Sequence, residues 1–270
     1  MKIFGIFGDP IEHSLSPAMQ NAALRALGED ACYHPFCVAQ EDLEDALLGA
    51  AAMGFCGLNL TIPLKEKALE FDFLQPDPLA QAIGAVNTVA FRSQGLAGYN
   101  TDGWGALLAL RDAGVEIKGK SVLIIGAGGG ARAIAYTLQQ EGAEISIANR
   151  SLKRAEDLAA CVGAGGFSLH ELEKLVPSAN IIINCTSVGM RAGDPRLLDG
   201  GLLHSRQAVF DIVYNRETEL LQDARAAGAV AVDGVMMLVY QGAKALEIWT
   251  GKKAPVDVME RAVREALAAR

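Results

Sequence analysis

"SVLIIGAGGGARAIAYTLQQEGAEISIANR", Ser121–Arg150, is the stretch on which the fold turns. After its serine, "SVLIIG" is a short apolar run of the kind buried in a parallel sheet. "GGARAIAYTLQQEG" has helical spacing, and "EISIANR" is a second strand. Strand, glycine turn, helix and strand make one βαβ unit, which implies an α/β domain. Within it "GAGGGARA" supplies Gly126, Ala127, Gly128, Gly129, Gly130 and Ala131. In such a motif Gly126 makes the tight turn, Gly128 lets the backbone approach a pyrophosphate, and Ala131 takes the close-packing position. An ordinary glycine-rich strand–helix turn is the alternative, and the intact unit on both sides favours a dinucleotide.

The end of the second strand distinguishes the cofactors. An NAD site places an acid about twenty residues beyond the motif to accept from the ribose 2′-hydroxyl. Here the chain reads "NRSLKR", with Asn149, Arg150, Ser151 and Arg154. These offer donors and positive charge, and an arginine fork pairs bidentately with phosphate oxygens. A solvated basic helix start is the alternative. Cations oppose the dipole at a helix N-terminus, so a bound 2′-phosphate accounts for them better, and NADP is the expected cofactor.

A competing motif lies next door. "GVEIKGKS", Gly114–Ser121, matches the P-loop expression letter for letter. A P-loop needs a strand before it and a helix after it. Here helical spacing precedes and a strand follows, so a phosphotransferase is disfavoured.

Outward from this unit, the first hundred residues alternate strand and helix patterns. "KIFGIF", "ACYHPFCV" and "FCGLNLTIP" read as strands; "PAMQNAALRALG", "EDLEDALLGAAAMG" and "LKEKALEF" read as helices. This alternation implies a second α/β region with a mainly parallel sheet. Beyond "TDGWGALLALRDAG", a helix that Thr101 or Asp102 can cap, come the βαβ unit and the strands "ANIIIN", "QAVFDIVY" and "AVAVDG". The C-terminal segment is helical with a break near Gly251. The expected organisation is two α/β domains flanking a cleft: residues 1–101, completed by helices within 237–270, and a Rossmann-like domain over 102–236.

With 270 residues, 51% of them hydrophobic, there is material for a large core. No apolar run reaches the roughly 18 residues of a membrane span. "MKIFGIFGDP" lacks a secretory signal pattern. A net charge of −8 argues against nonspecific nucleic-acid binding. Five scattered cysteines fit free thiols in a reducing cytoplasm. Cys32, His34 and Cys37 have no matching second pair, so no metal is expected.

"GDPIEHSLSP", Gly8–Pro17, packs two serines, a histidine and two prolines into ten residues. Ser16 before Pro17 reads as a helix cap. That leaves Ser14 and His13 unexplained. "GDPIEHSLSP", "NLTIPLK", "GAVNT", "GYNTDGWG", "GAGGGARA", "NRS", "NCTSVGM" and "DGVMMLVYQGA" together resemble the shikimate dehydrogenase family, in order and spacing, over essentially the whole chain. The resemblance implies NADPH-dependent, reversible reduction of 3-dehydroshikimate to shikimate; the sequence itself leaves monomer and homodimer both open.

Carried over by matching motif, Ser14 and Ser16 would hold the substrate carboxylate, with Tyr214 assisting from the other side of the cleft. Asn59, Thr61, Asn87 and Gln241 resemble the residues that contact ring hydroxyls; amides suit a polyol because each donates and accepts. Lys65 and Asp102 resemble the catalytic pair, in which an ammonium stabilises the oxyanion and donates its proton. Without the resemblance, Lys65 reads as a solvated helix residue and Asp102 as a cap. The expected division puts the two in different domains, so the site would assemble on closure. Thr186, Ser187, Met190 and Met237 would line the nicotinamide side, although a methionine is also ordinary core filler. His13 is expected to support its loop. Two features depart from the family pattern: Arg216 and Glu219 stand where proline is common, and Met236 where glycine is frequent. Relaxed activity on quinate, or a nonenzymatic NADP sensor on the same fold, are the alternatives.

Overall fold

The computed structural model describes residues 1–270, and the chain divides into two compact units, Met1–Gly105 with Val239–Arg270, and Ala106–Leu238. No helix is long and apolar enough to cross a membrane.

The first unit is built on β1 (Lys2–Gly8), α1 (Ser16–Ala26), β2 (Ala31–Cys37), α2 (Leu43–Ala52), β3 (Gly57–Leu60), α3 (Leu64–Lys67), β4 (Leu74–Pro76), α4 (Pro78–Ile83), β5 (Thr88–Arg92) and β6 (Gly95–Tyr99), and α5 (Asp102–Asp112) begins in it. Its sheet runs β2-β1-β3-β5-β6-β4. Pairings β1–β2, β1–β3 and β4–β6 are parallel, whereas β3–β5 and β5–β6 are antiparallel. The sheet is therefore mainly parallel, as the strand–helix alternation predicts, with β5 antiparallel to both of its neighbours. The reason is local: β5 and β6 form a hairpin closed at Arg92–Gly95, and Gly95 supplies the positive φ of +127° that the turn requires.

The second unit contains β7 (Ser121–Ile125), α6 (Gly129–Gln140), β8 (Glu144–Asn149), α7 (Leu152–Val162), β9 (Gly165–Ser168), α8 (Leu172–Leu175), β10 (Ile181–Asn184), β11 (Ala208–Asp211), α9 (Glu219–Ala226) and β12 (Val230–Val232). Its sheet, β12-β11-β10-β7-β8-β9, is parallel throughout. This is the doubly wound order, with its reversal point between β7 and β10. "IIIN" and "AVFD" are buried at every position because helices cover both faces. One core, including Ile124, Ile134 and Phe210, and another, including Leu123, Ile182 and Val209, mark the two covered faces.

Helix α10 (Val235–Thr250) ends at Gly251, whose φ of +70° terminates it, and α11 (Val256–Ala268) follows. In the first unit α11 packs on α1, and Trp249 of α10 stacks on Phe4 at 5.2 Å while its indole N–H donates to Val89 O.

The unit boundaries fall inside α5 and α10, after Gly105 and Leu238. Asp102 thus belongs with Lys65 in the first unit, contrary to the expected division. The first turn of α5 is tied to that unit's sheet region by side chains: Asn87 accepts from Thr101 N–H at 2.8 Å, and Asn100 accepts from Asp102 N–H at 3.0 Å.

Candidate active site

Lys65 sits in the short helix α3, just after β3, and its Nζ donates to Asp102 Oδ2 at 2.5 Å. The two side chains are only 17% and 5% exposed, so Lys65 is not the solvated helix residue that its surroundings "LKEK" suggest. Asp102 does not cap α5 with its own carboxylate. The Asn100 amide oxygen takes the Asp102 N–H, and its Nδ2 donates to Ala85 O, which leaves the Asp102 carboxylate available. Its second oxygen, Oδ1, accepts from Asn87 Nδ2 at 2.8 Å. The pair therefore forms in the first unit without any domain movement.

Asn87 is the centre of this arrangement. Its amide oxygen accepts from Thr101 N–H, Thr101 Oγ1 and Thr88 Oγ1, and its Nδ2 reaches Gln241 Oε1 of α10 at 3.5 Å. Asn59, on β3, donates to Asn87 O and to Thr88 Oγ1, both at 3.1 Å, and accepts from the hydroxyl of fully buried Tyr33 at 2.8 Å. Both Asn59 N–H donors are thus committed to the protein, leaving one lone pair for anything else. Tyr33, Thr88 and Asn100 are absent from the residues expected from sequence. Buried polar side chains inside strand and turn patterns are the signal that could have found them.

The loop "GDPIEHSLSP" joins β1 to α1. Helix α1 begins at Ser16 itself, and Ser16 does not cap it with its hydroxyl. Leu15 already has helical dihedrals, so the capping position has passed before Ser16 is reached. Instead Ser14 Oγ accepts from Ser16 N–H at 3.3 Å, which leaves the Ser14 hydroxyl proton to donate elsewhere. The His13 carbonyl receives Arg270 Nη2 at 3.0 Å, so its backbone supports the loop. At Gly8 a Cβ would lie 2.3 Å from Thr61 Cγ2, so the loop leaves the sheet directly against Thr61. Ser14, Thr61, Lys65 and Gln241 remain partly exposed, whereas Ser16, Asn59, Asn87 and Asp102 are buried.

In the second unit Gly126 follows β7 with a φ of +119°, and a Cβ there would lie 2.8 Å from Cys185 O after β10. This is the reversal point of the sheet, where α/β domains take ligands. Gly128 precedes α6, and a Cβ there would meet no atom within 4 Å, so the helix N-terminus is open. The first N–H groups of a helix lack intrahelical partners and favour an anion. Ala131 is fully buried, as its packing position demands. Arg154 Nη2 reaches back to Ala127 O at 3.3 Å, and Arg150, directly after β8, is exposed. Ser151 Oγ caps α7, and Asn149 Nδ2 donates to Ser151 O, so both shape the turn that presents the arginines. An open helix N-terminus and two guanidinium groups, with no acid at the end of β8, fit a dinucleotide carrying a 2′-phosphate.

Thr186, Ser187 and Met190 lie in the loop after β10, with Ser187 and Met190 exposed. The loop folds on Asn184, whose Oδ1 accepts from Thr186 N–H and Thr186 Oγ1 and whose Nδ2 donates to Val188 O. Met237 is 7% exposed and belongs to the core of the unit, against which Met236 also packs. Tyr214, partly buried, follows β11. Its loop carries Arg216, which donates to Arg191 O at 3.0 Å, and Glu219, which pairs with Arg196 at 3.3 Å. The two residues that depart from proline therefore make polar ties of their own. No group of metal-ligating side chains is present.

Comparison with known proteins matches both units. Residues 6–89 fit the model of the shikimate dehydrogenase substrate binding domain, residues 108–235 that of shikimate / quinate 5-dehydrogenase, and residues 234–264 that of the shikimate 5′-dehydrogenase C-terminal domain. A shikimate dehydrogenase (NADP(+)) of Methanothrix thermoacetophila is 60% identical over 99% of this chain and 98% of its own length. The crystal structure of shikimate dehydrogenase from Aquifex aeolicus matches with a TM-score of 0.92 at 38% identity, over 98% of each chain. Shikimate 5-dehydrogenase from Thermus thermophilus, solved with NADP(H) and shikimate, matches with a TM-score of 0.90 at 38% identity, over 98% of this chain and 100% of that one.

Proposed function

The chain belongs to the shikimate dehydrogenase family, and from that membership together with the Lys65–Asp102 pair we infer that it catalyses the reversible, NADP-dependent reduction of 3-dehydroshikimate to shikimate. It is an oxidoreductase acting on a CH–OH group, with NADP as its cofactor.

Ser14 and Ser16 hold the substrate carboxylate. Ser14 can donate its hydroxyl proton while accepting Ser16 N–H, and the N-terminal end of α1 favours the negative charge. Thr61 and Gln241 bind ring hydroxyls, while Asn87, tied to Asp102, fixes the side on which they sit. Asn59 serves mainly to hold Asn87 and Thr88. Tyr214 assists in binding the substrate.

Lys65 has one N–H bonded to Asp102 and two left to face the substrate carbonyl. Its positive charge stabilises the developing oxyanion, and its proton completes the alcohol. Asp102 aims the ammonium and accepts from a neighbouring substrate hydroxyl. In the oxidation direction Lys65 takes the hydroxyl proton back.

When bound, NADPH supplies the hydride. Gly126, Ala127, Gly128, Gly129, Gly130 and Ala131 would form its pyrophosphate cradle. Arg150 and Arg154 would hold the 2′-phosphate, with Asn149 and Ser151 shaping their turn. Thr186, Ser187 and Met190 would line the nicotinamide, with the remaining surface of Met237 beside them. We place the enzyme in the cytoplasm as a monomer or homodimer with its five cysteines free.

The observation that carries this reading is the Lys65–Asp102 pair, formed within the first unit of a chain that belongs to this family. Initial rates with shikimate and with quinate, each with NADP and with NAD, test it. Shikimate with NADP is expected to be the fastest combination. A comparable quinate rate would widen the substrate assignment, faster turnover with NAD would overturn the reading of the arginines, and no turnover by a folded, NADP-binding protein would overturn the enzyme assignment.

A further inference from the structure

Asp211 ends β11 with no exposed surface, in a unit where its charge has no catalytic use in the reading above. Three segments converge on its carboxylate. Oδ1 accepts from Asn184 Nδ2 at 2.9 Å and from Val213 N–H at 3.0 Å; Oδ2 accepts from Thr218 Oγ1 at 2.7 Å. Asn184 is the residue on which the 184–190 loop folds, while Thr218 caps α9 and closes the loop that carries Tyr214.

The same two loops meet at further points. A Cβ at Gly189 would lie 2.8 Å from Thr218 Cγ2, so the threonine methyl rests where a side chain would otherwise stand. Asn215 Nδ2 donates to Met190 O at 3.0 Å, and Arg216 donates to Arg191 O. Burial pushes the Asp211 carboxyl above its ordinary value, and the bonds from Thr218, Val213 and Asn184 oppose that shift. A buried acid is costly unless its oxygens are satisfied, and here each is.

We propose that Asp211 is a positioning residue for hydride transfer, clamping the 184–190 loop and the 212–218 loop into one body so that the nicotinamide-facing residues and Tyr214 keep a fixed spacing. The proposal rests on the reading that Thr186, Ser187 and Met190 line the nicotinamide. It separates two parts of cofactor binding: the clamp acts on the nicotinamide end, whereas Arg150 and Arg154 at the end of β8 act on the phosphate end.

Asp211→Ala, Asp211→Asn and Thr218→Val test it. The Asn variant keeps an oxygen toward Asn184 and Val213, and its amide can donate to the Thr218 hydroxyl. The Val variant deletes only the hydroxyl and keeps a methyl against Gly189. Asp211→Ala is expected to lower kcat on the order of 10²-fold, the cost of displacing reacting groups by about 1 Å. The deuterium isotope effect with NADPH labelled at the transferred position should rise, because hydride transfer becomes the slow step. NADP⁺ should bind several-fold more weakly, while 2′,5′-ADP, which lacks the nicotinamide, should bind as to the wild type. Asp211→Asn should restore most of kcat, and Thr218→Val should fall between.

Equal weakening of NADP⁺ and 2′,5′-ADP would reduce Asp211 to a general stabiliser and overturn the proposal. So would Thr218→Val with wild-type kcat and isotope effect, the deciding variant if Asp211→Ala does not fold. A wild type that binds NADP⁺ without oxidising shikimate would overturn the substrate assignment instead; the NADP⁺ and 2′,5′-ADP comparison would still decide the clamp.

Discussion

The Lys65 ammonium lies 2.5 Å from one oxygen of Asp102, and Asn87 donates to the other at 2.8 Å. Two donors on opposite oxygens leave the carboxylate little freedom to turn. Its orientation sets that of the lysine, so the ammonium is held in one direction by the protein alone. The preorganisation comes from three short pieces of chain, α3, the residue before β5 and the first turn of α5.

Asp102→Asn should damage this arrangement more than its small change in size implies. The carboxamide oxygen can keep the Asn87 bond, but the NH₂ group then faces the Lys65 ammonium, donor against donor. The lysine must swing away. We expect kcat for shikimate oxidation to fall on the order of 10²-fold with a misplacement of about 1 Å, and the shikimate KM to rise. Steady-state kinetics at saturating NADP measure both.

Tyr33→Phe tests the support beneath the site. It leaves Asn59 Oδ1 buried without the hydroxyl that it accepts, which costs about 1–3 kcal/mol of stability. The melting temperature should fall by several degrees, while kcat changes only a few-fold because Asn59 still holds Asn87 O and Thr88. Thermal unfolding followed by circular dichroism, paired with kinetics, separates the two effects.

Arg150→Ala should raise the NADP KM by about 10–100-fold, the worth of one or two charge-assisted hydrogen bonds. The NAD KM should stay nearly unchanged, because NAD has no 2′-phosphate to lose. Initial rates with both cofactors measure the ratio; equal changes would contradict the assignment.

Acid stability should depend on Glu29. Lys252 and Lys2 hydrogen-bond to its carboxylate and hold its pKa at about 2, below the ordinary 4.5. A lowered folded value means that the unfolded chain binds the proton more readily. The stabilisation is therefore present above pH 4.5 and is lost as pH falls toward about 2. Glu29→Gln should melt lower than the wild type at neutral pH, and the two should converge between pH 4.5 and about 2 in melting curves at fixed salt.

Much of this was legible in the sequence, and the reason differs from place to place. The second unit is readable because its central strands are apolar runs with polar residues only at an end, and Gly126 sits where a side chain would strike Cys185. The stretch from Phe71 to Tyr99 was harder. Strands β4, β5 and β6 are short and carry polar residues, and a hairpin closed at Gly95 puts one antiparallel strand into a parallel pattern. Lys65 and Asp102 stood out through motif resemblance, since nothing in "LKEK" or "TDGW" distinguishes them from a solvated lysine and a cap. Their union in one unit depends on Asn87, which reaches Asp102, and on Asn100, which reaches Ala85, each across 15 residues with no sequence period. Asp211 is hidden in the sequence for the same reason: an acid closing an apolar strand reads as a strand end, and only the fold brings Asn184 and Thr218 onto it.

The most direct test of the central claim is the initial rate of NADP reduction by shikimate, at saturating concentrations of both, for the wild type and for Lys65→Ala. We expect turnover by the wild type and a rate slower by at least about 10²-fold in the variant, the usual worth of a positioned acid–base group. Shikimate should still bind to the variant. A variant that keeps its rate within a few-fold of the wild type would contradict the assignment of Lys65 as the proton donor.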